Sequence, residues 1–134
     1  MKYVYPTIFT IEERNILVTV PDLPGLHTFG KNMADAIFMA QDALEMWLWD
    51  AENKGESIPS PSTQKKIAKM CKSQNQMVNM VAADTDEYRK QNDNRSVKKT
   101  LSIPAWLNHK AEKANAPFSH ILQQGLKEYL HIAQ

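Results

Sequence analysis

The chain has 134 residues, 43% hydrophobic and 23% charged, with a net charge of +1. That length allows one or two small domains, and the balance of apolar and charged residues excludes a disordered or fibrous chain. No apolar run approaches the ~18 residues of a membrane span, MKYVYPTIFT lacks a signal peptide's apolar core, and the single Cys71 suits a reducing compartment, so a cytoplasmic protein without membrane contact is expected. The near-neutral total conceals an asymmetry. Residues 1–60 carry four Lys/Arg against nine Asp/Glu, residues 61–94 six against four, and residues 95–134 six against two. An acidic N-terminal part joined to a basic C-terminal part suggests two partners of different charge.

Residues 2–9 (KYVYPTIF) and 15–20 (NILVTV) are β-branched and aromatic, and read as a hairpin. PDLPG, from Pro21 to Gly25, ends the second strand, because its prolines remove donors and Gly25 permits positive φ. A brief third strand over Leu26–Phe29 precedes a turn at Gly30. A helix is expected from an Asn32 N-cap to about Gly55, since Ala34, Ile37, Ala40, Gln41, Leu44, Trp47, Leu48 and Ala51 recur at three- and four-residue steps. Met46 and Trp49 fall off that stripe, so either a loop covers them or they belong to a second buried surface such as a partner contact.

Ile58–Ser62 is turn-rich, Thr63–Lys72 suggests a short basic helix, and Gln76–Ala83 reads as a fourth strand. Asp84 is placed to cap a short helix over Thr85–Lys90. The polar stretch 91–96 is the best linker. The chain thus reads as α+β, with a β-β-β-α-β domain over 1–90, a linker over 91–96, and a strand-helix-helix unit over 97–134.

In the last unit VKKTLSI (97–103) places Leu101 and Ile103 on one strand face and Lys98, Thr100 and Ser102 on the other. Pro104 suits the first turn of a helix reaching about Asn115, with Leu107, Ala111 and Ala114 as a modest stripe. A second helix from about Pro117 to Ile132 carries Phe118, Ile121, Leu122, Leu126, Tyr129 and Leu130 on one side, interrupted by Gly125. Forty residues with one strand cannot fold alone, because the strand's backbone groups stay unpaired and the core is too small. Pairing with a second copy repairs both defects and yields a two-stranded ribbon narrow enough for the major groove of DNA.

The order KTLSIPxWL…NxxFSxxLQxGLKEYL resembles the ribbon-helix-helix (Arc/MetJ/CopG-like) family over Lys99–Leu107 and Asn115–Leu130. The resemblance implies base contacts from Lys98, Thr100 and Ser102 and a phosphate clamp of backbone N–H groups near Phe118 and Ser119, with Pro117 expected to remove one donor. Residues 3–62 are similar to the HicB antitoxin family through Tyr5-Pro6, PDLPG, HTFG (27–30), ALEMWL (43–48) and GESIPSPS (55–62). That likeness implies a partial RNase H-like domain that masks a basic, mRNA-cleaving HicA toxin in a type II toxin-antitoxin system, and an attached repressor of the pair's own operon. Toxin contact is assigned to the N-terminal domain, with Met46 and Trp49 as candidates. A homodimer is expected, with a tetramer left open.

An enzyme is disfavoured. RNase H chemistry needs clustered carboxylates holding two divalent ions, and strands 2–9 and 16–20 contain neither Asp nor Glu. The four histidines lack ligand spacing, so no metal or cofactor is expected. The alternative is a ribbon-helix-helix regulator whose N-terminal domain senses a small molecule.

Overall fold

Strand β1 (Lys2–Ile11) and strand β2 (Ile16–Thr19) pair antiparallel, with Ile8 opposite Thr19 and Ile11 opposite Ile16. The connecting turn closes through the Glu12 N–H on the Asn15 carbonyl at 2.9 Å. The computed structural model describes residues 1–132. It divides into two units, Met1–Asn94 and Arg95–Gln134.

In the first unit, β3 (His27–Gly30) follows the PDLPG loop and pairs with β2, while β4 (Gln76–Asp84) runs antiparallel to β1 from Lys2 to Thr10. The result is a four-stranded antiparallel sheet in the order β3-β2-β1-β4. Helix α1 (Met33–Lys54) covers one face, with α2 (Gln64–Ala68) and α3 (Thr85–Gln91) either side of β4 in the chain.

The long helix starts and stops where its end residues dictate. Asn32 accepts the Asp35 N–H at 2.9 Å, and the Asp35 carboxylate accepts the Lys31 N–H. At the other end Gly55 takes φ 67°, and the N–H groups of Gly55 and Glu56 reach back to Glu52 and Ala51, a Schellman closure. Its buried residues are Ala36, Ala40, Leu44, Leu48 and Ala51, and the first four share a core with Tyr5, Phe9, Val18 and Val81.

The expected stripe was wrong at Ala34, Ile37 and Gln41, all of which are exposed. Ile37 is 44% exposed, and Ala36 faces the sheet instead. Gly30 explains the rotation, because a Cβ there would lie 2.3 Å from the Ala36 nitrogen. The helix backbone rests on Gly30, and a crossing that close tolerates alanine where isoleucine would not fit.

On the face of β1 away from α1, Lys2 and Val4 are exposed but the middle of the strand is covered. Pro6 and Ile8 are buried, and Ile67 of α2, which packs on β1 and β4, is 2% exposed. The segment leading into α2 is tied down by the Tyr5 hydroxyl donating to the Pro59 carbonyl and by Asp22, which accepts from both the Ser62 N–H (2.8 Å) and the Ser62 hydroxyl. Burial, and then Asp22, push the Tyr5 phenol above its ordinary value. Asp84 caps α3, as its position in the sequence suggests, and Thr63 caps α2.

The second unit consists of α4 (Ala105–Lys113) and α5 (Phe118–Tyr129). Pro104 and Pro117 are N-caps rather than first-turn residues. Asn115, at φ 53°, ends α4 in a second Schellman closure, with Asn115 and Ala116 N–H groups on Glu112 and Ala111. Residues 97–103 form no strand. A strand exists only as part of a ladder, and among the described residues of one chain none is available to pair with it. No residue of α4 or α5 is buried.

Candidate functional site

Each unit carries an open apolar hollow. In the first, the PDLPG loop closes on itself through Val20, Leu23 and Leu26 backbone bonds, with Gly25 at φ 81° making the turn. The loop and the start of β3, Gly25 to Thr28, form one wall of a groove of about 570 Å³. Helix α1 forms the other wall with Met39, Asp42, Met46, Trp49 and Asp50, and Ala43 and Trp47 also line it. Trp47 donates weakly to the Pro24 carbonyl at 3.4 Å, which ties the two walls together.

The two off-stripe residues singled out from the sequence meet different fates. Met46 is 50% exposed in the groove. Trp49 also lines it but is half-buried, with the Tyr88 ring of α3 5.6 Å from the indole. Its indole N–H is buried without an acceptor among the described residues. Helix α3 therefore provides much of the cover that the sequence left open between a loop and a partner.

The solvent side of α1 is apolar and acidic together. Ile37, Phe38 and Met46 are exposed, and Asp35, Asp42, Glu45, Asp50 and Glu52 lie on the same helix. Its only cation, Lys54, is tied to Asp50 at 2.8 Å, which raises the Lys54 pKa. Burial holds Glu45 above the usual carboxylate range, and the crowding of Asp42, Asp84 and Glu87 adds to it, against a lowering by the Asp84 N–H. Carboxylates crowded in this way mark a locally negative potential.

At the end of α1 the polar contacts are structural. The Tyr3 hydroxyl donates to Glu52 at 2.9 Å, Thr85 donates to the same carboxylate, and Arg89 pairs with it at 3.3 Å. Burial first, then Glu52, pushes Tyr3 up to about 12. Among the described residues no group of three His, Cys, Asp or Glu could hold a metal ion, and no helix is long and apolar enough to cross a membrane.

In the second unit a hollow of about 600 Å³ is lined by Leu101, Ile103, Leu107, Ala111, Phe118, Ile121 and Leu122, with Lys99 and Ser119 at its edge. Lys98, Thr100 and Ser102 are exposed in the irregular segment before α4, but so are Leu101 (60%) and Ile103 (46%), so one chain does not sort this segment into two faces. Phe118 and Ser119 open α5. The side chain of Phe118 belongs to the apolar hollow, so only its N–H is available to an anion. The first helical bond runs from the Ile121 N–H to the Pro117 carbonyl at 2.9 Å. Pro117, the N-cap, has no N–H to offer, and the N–H groups of Phe118, Ser119 and His120 precede the first helical bond.

Sequence reasoning missed the Asp22–Ser62 tie and the crowding of Glu45. Both depend on which distant segments meet, and only the polar turn residues of PDLPG and GESIPSPS hinted at the first.

Comparison with known proteins places these features. Residues 5–125 match the family model described as a HicB-like antitoxin of bacterial toxin-antitoxin systems. No curated protein matches. Among solved structures, the chain resembles a component of a toxin-antitoxin complex from Streptococcus pneumoniae at 22% identity and a TM-score of 0.57, over 96% of this chain and 99% of that one. It also resembles the Burkholderia pseudomallei antitoxin HicB at 23% identity and a TM-score of 0.52, over 98% and 97%. A structure described as the HicA3 and HicB3 toxin-antitoxin complex matches at 21% identity and a TM-score of 0.53, over 61% of this chain and 99% of that one. At these identities the likeness is one of fold.

Proposed function

Because the chain belongs to the HicB-like antitoxin family of bacterial toxin-antitoxin systems, we propose that its first unit masks a HicA-type mRNA-cleaving toxin while its second unit dimerises as a ribbon-helix-helix that represses the pair's operon. In this reading the first unit is a partial RNase H-like domain without catalytic activity, and the protein works without cofactor in the cytoplasm. The observation that carries the dimer is the absence of any buried residue in α4 and α5. Leu107, Phe118, Ile121, Leu122 and Leu126 are each 40% exposed or more, which no isolated soluble unit sustains. A second copy covers that face, and the pairing of residues 97–103 across the two-fold axis supplies the missing ladder. Thr100 and Ser102 then face the bases, Lys98 the phosphates, and the Phe118 and Ser119 N–H groups clamp a phosphate at the start of α5.

The toxin is assigned to the groove between the PDLPG loop and α1. Exposed Met46 and the uncovered edge of Trp49 offer apolar contact, and the surrounding carboxylates steer a basic protein. Neighbouring structures are of toxin-antitoxin complexes, which supports a protein partner over a small-molecule ligand. The test is co-expression of the full chain with a HicA-type toxin, followed by sedimentation and duplex binding. Met46→Asp is expected to release the toxin and leave the dimer intact, and Ile121→Asp to yield monomers that no longer select operator DNA. A dimer that survives Ile121→Asp would refute the assembly.

A further inference from the structure

Residues 57–83 contain four lysines, at 65, 66, 69 and 72, and no Asp or Glu. This stretch lies within a unit whose first 60 residues hold nine carboxylates. All four lysines are exposed, and none forms an ion pair among those found in the described residues. They are not randomly disposed. Ile67, 2% exposed, pins α2 against β1 and β4 and turns its neighbours outward. Lys65 and Lys69 stand four residues apart, Lys66 and Lys69 three apart, and Lys69 continues the helical geometry at φ −67°, ψ −18°. Like charges at these spacings repel and destabilise a helix, and here no acidic side chain relieves them. A five-residue helix is a costly place to concentrate them unless an anion answers the charge.

We infer that the α2 lysines form a second nucleic-acid contact, which grips the phosphate backbone of duplex DNA without reading its bases. The patch is the converse of the acidic side of α1, so one small domain offers a carboxylate surface to a basic protein and an ammonium surface to a polyanion. Lysine suits this task because its point charge engages phosphates without a demanding geometry. A phosphate contact too weak to act alone gains from being carried on the same chain as a DNA-binding unit, where it works at an effective concentration of order mM. The inference rests in part on the proposed DNA binding by the second unit, and the experiment separates the two.

Full-length protein is titrated with operator and scrambled duplexes across a range of salt, comparing wild type, a Lys65→Gln/Lys66→Gln/Lys69→Gln/Lys72→Gln variant, and Thr100→Ala/Ser102→Ala. Each lost phosphate contact removes ~0.9 from the salt slope, so the lysine variant is expected to bind both duplexes more weakly, with a slope shallower by about 2 to 4 and an unchanged preference for operator. The strand variant is expected to lose the preference and keep most of the slope. An unchanged slope in a folded lysine variant overturns the proposal while leaving the ribbon intact. Loss of slope with no effect of Thr100 and Ser102 keeps the patch and sinks the ribbon. Wild type that binds neither duplex overturns both. If the lysine variant instead loses binding to anionic phosphatidylserine vesicles and keeps its DNA slope, the patch belongs to a lipid surface and the proposal fails.

Discussion

Replacing Gly30 by alanine tests whether the placement of α1, and with it the groove, depends on one missing methyl group. The added Cβ would lie 2.3 Å from the Ala36 nitrogen and 2.5 Å from its Cα, against ordinary contacts beyond 3.4 Å. Both atoms are helix backbone, so no side-chain rotation relieves the clash and α1 must retreat by about 1 Å from β3. Overpacking of this kind costs about 3 kcal/mol. For a unit of the size of Met1–Asn94, each kcal/mol shifts Tm by roughly 4–8 °C, so a fall of roughly 10–25 °C is expected. Gly25→Ala is the control. It has φ 81° and nothing within 4 Å of the added carbon, so it pays only the backbone strain of about 1 kcal/mol. Thermal unfolding followed by tryptophan fluorescence reports on both, since Trp47 and Trp49 belong to α1. If Gly30→Ala melts no lower than Gly25→Ala, the close crossing is not what holds the helix.

Asp22→Ala removes the acceptor of two Ser62 bonds, and denaturant titration should show a loss of about 2–4 kcal/mol, with Ser62→Ala costing roughly half. For Tyr3, whose pKa is pushed up to about 12, the folded value lies above the unfolded value of about 10. Its stabilising contribution is therefore complete below pH 10 and lost as the pH rises through about 12. Absorbance titration should show Tyr3 ionising late, with Tyr5 also above its ordinary value, and Glu52→Gln should move the Tyr3 step down while burial keeps it above about 10; a Tyr3 step indifferent to Glu52 would disprove the assignment. Glu45 is held above the carboxylate range by burial and by neighbouring acids. Its ionised form thus opposes folding at neutral pH, and stability is greater below the unfolded pKa than above the folded one. Glu45→Gln should raise Tm at pH 7 and weaken binding of a basic partner, and a lower Tm would contradict that sign.

How much was legible depended on whether the cause was local. The caps at Asn32 and Asp84 were read correctly because each acts on amides two or three residues away. The hairpin followed from its β-branched and aromatic strands, and Gly55 from the helix it ends. The error at Ala34 and Ile37 came from a close crossing at Gly30, and hydrophobic periodicity carries no information about how near two backbones approach. Trp49 was half legible: its position off the stripe announced a second contact, but only the fold shows that Tyr88 supplies much of it. Residues 97–103 mark the other limit. Their pattern asks for a strand, and the single chain does not form one, because the condition for a strand is a partner and the sequence of one chain cannot place it. The same logic applies to α4 and α5, whose apolar stripe has regular spacing and is not buried among the described residues. Where a strand without a ladder and helices without a core occur in one segment, a single act of pairing cures both, and that economy argues for a second copy more strongly than either defect does alone.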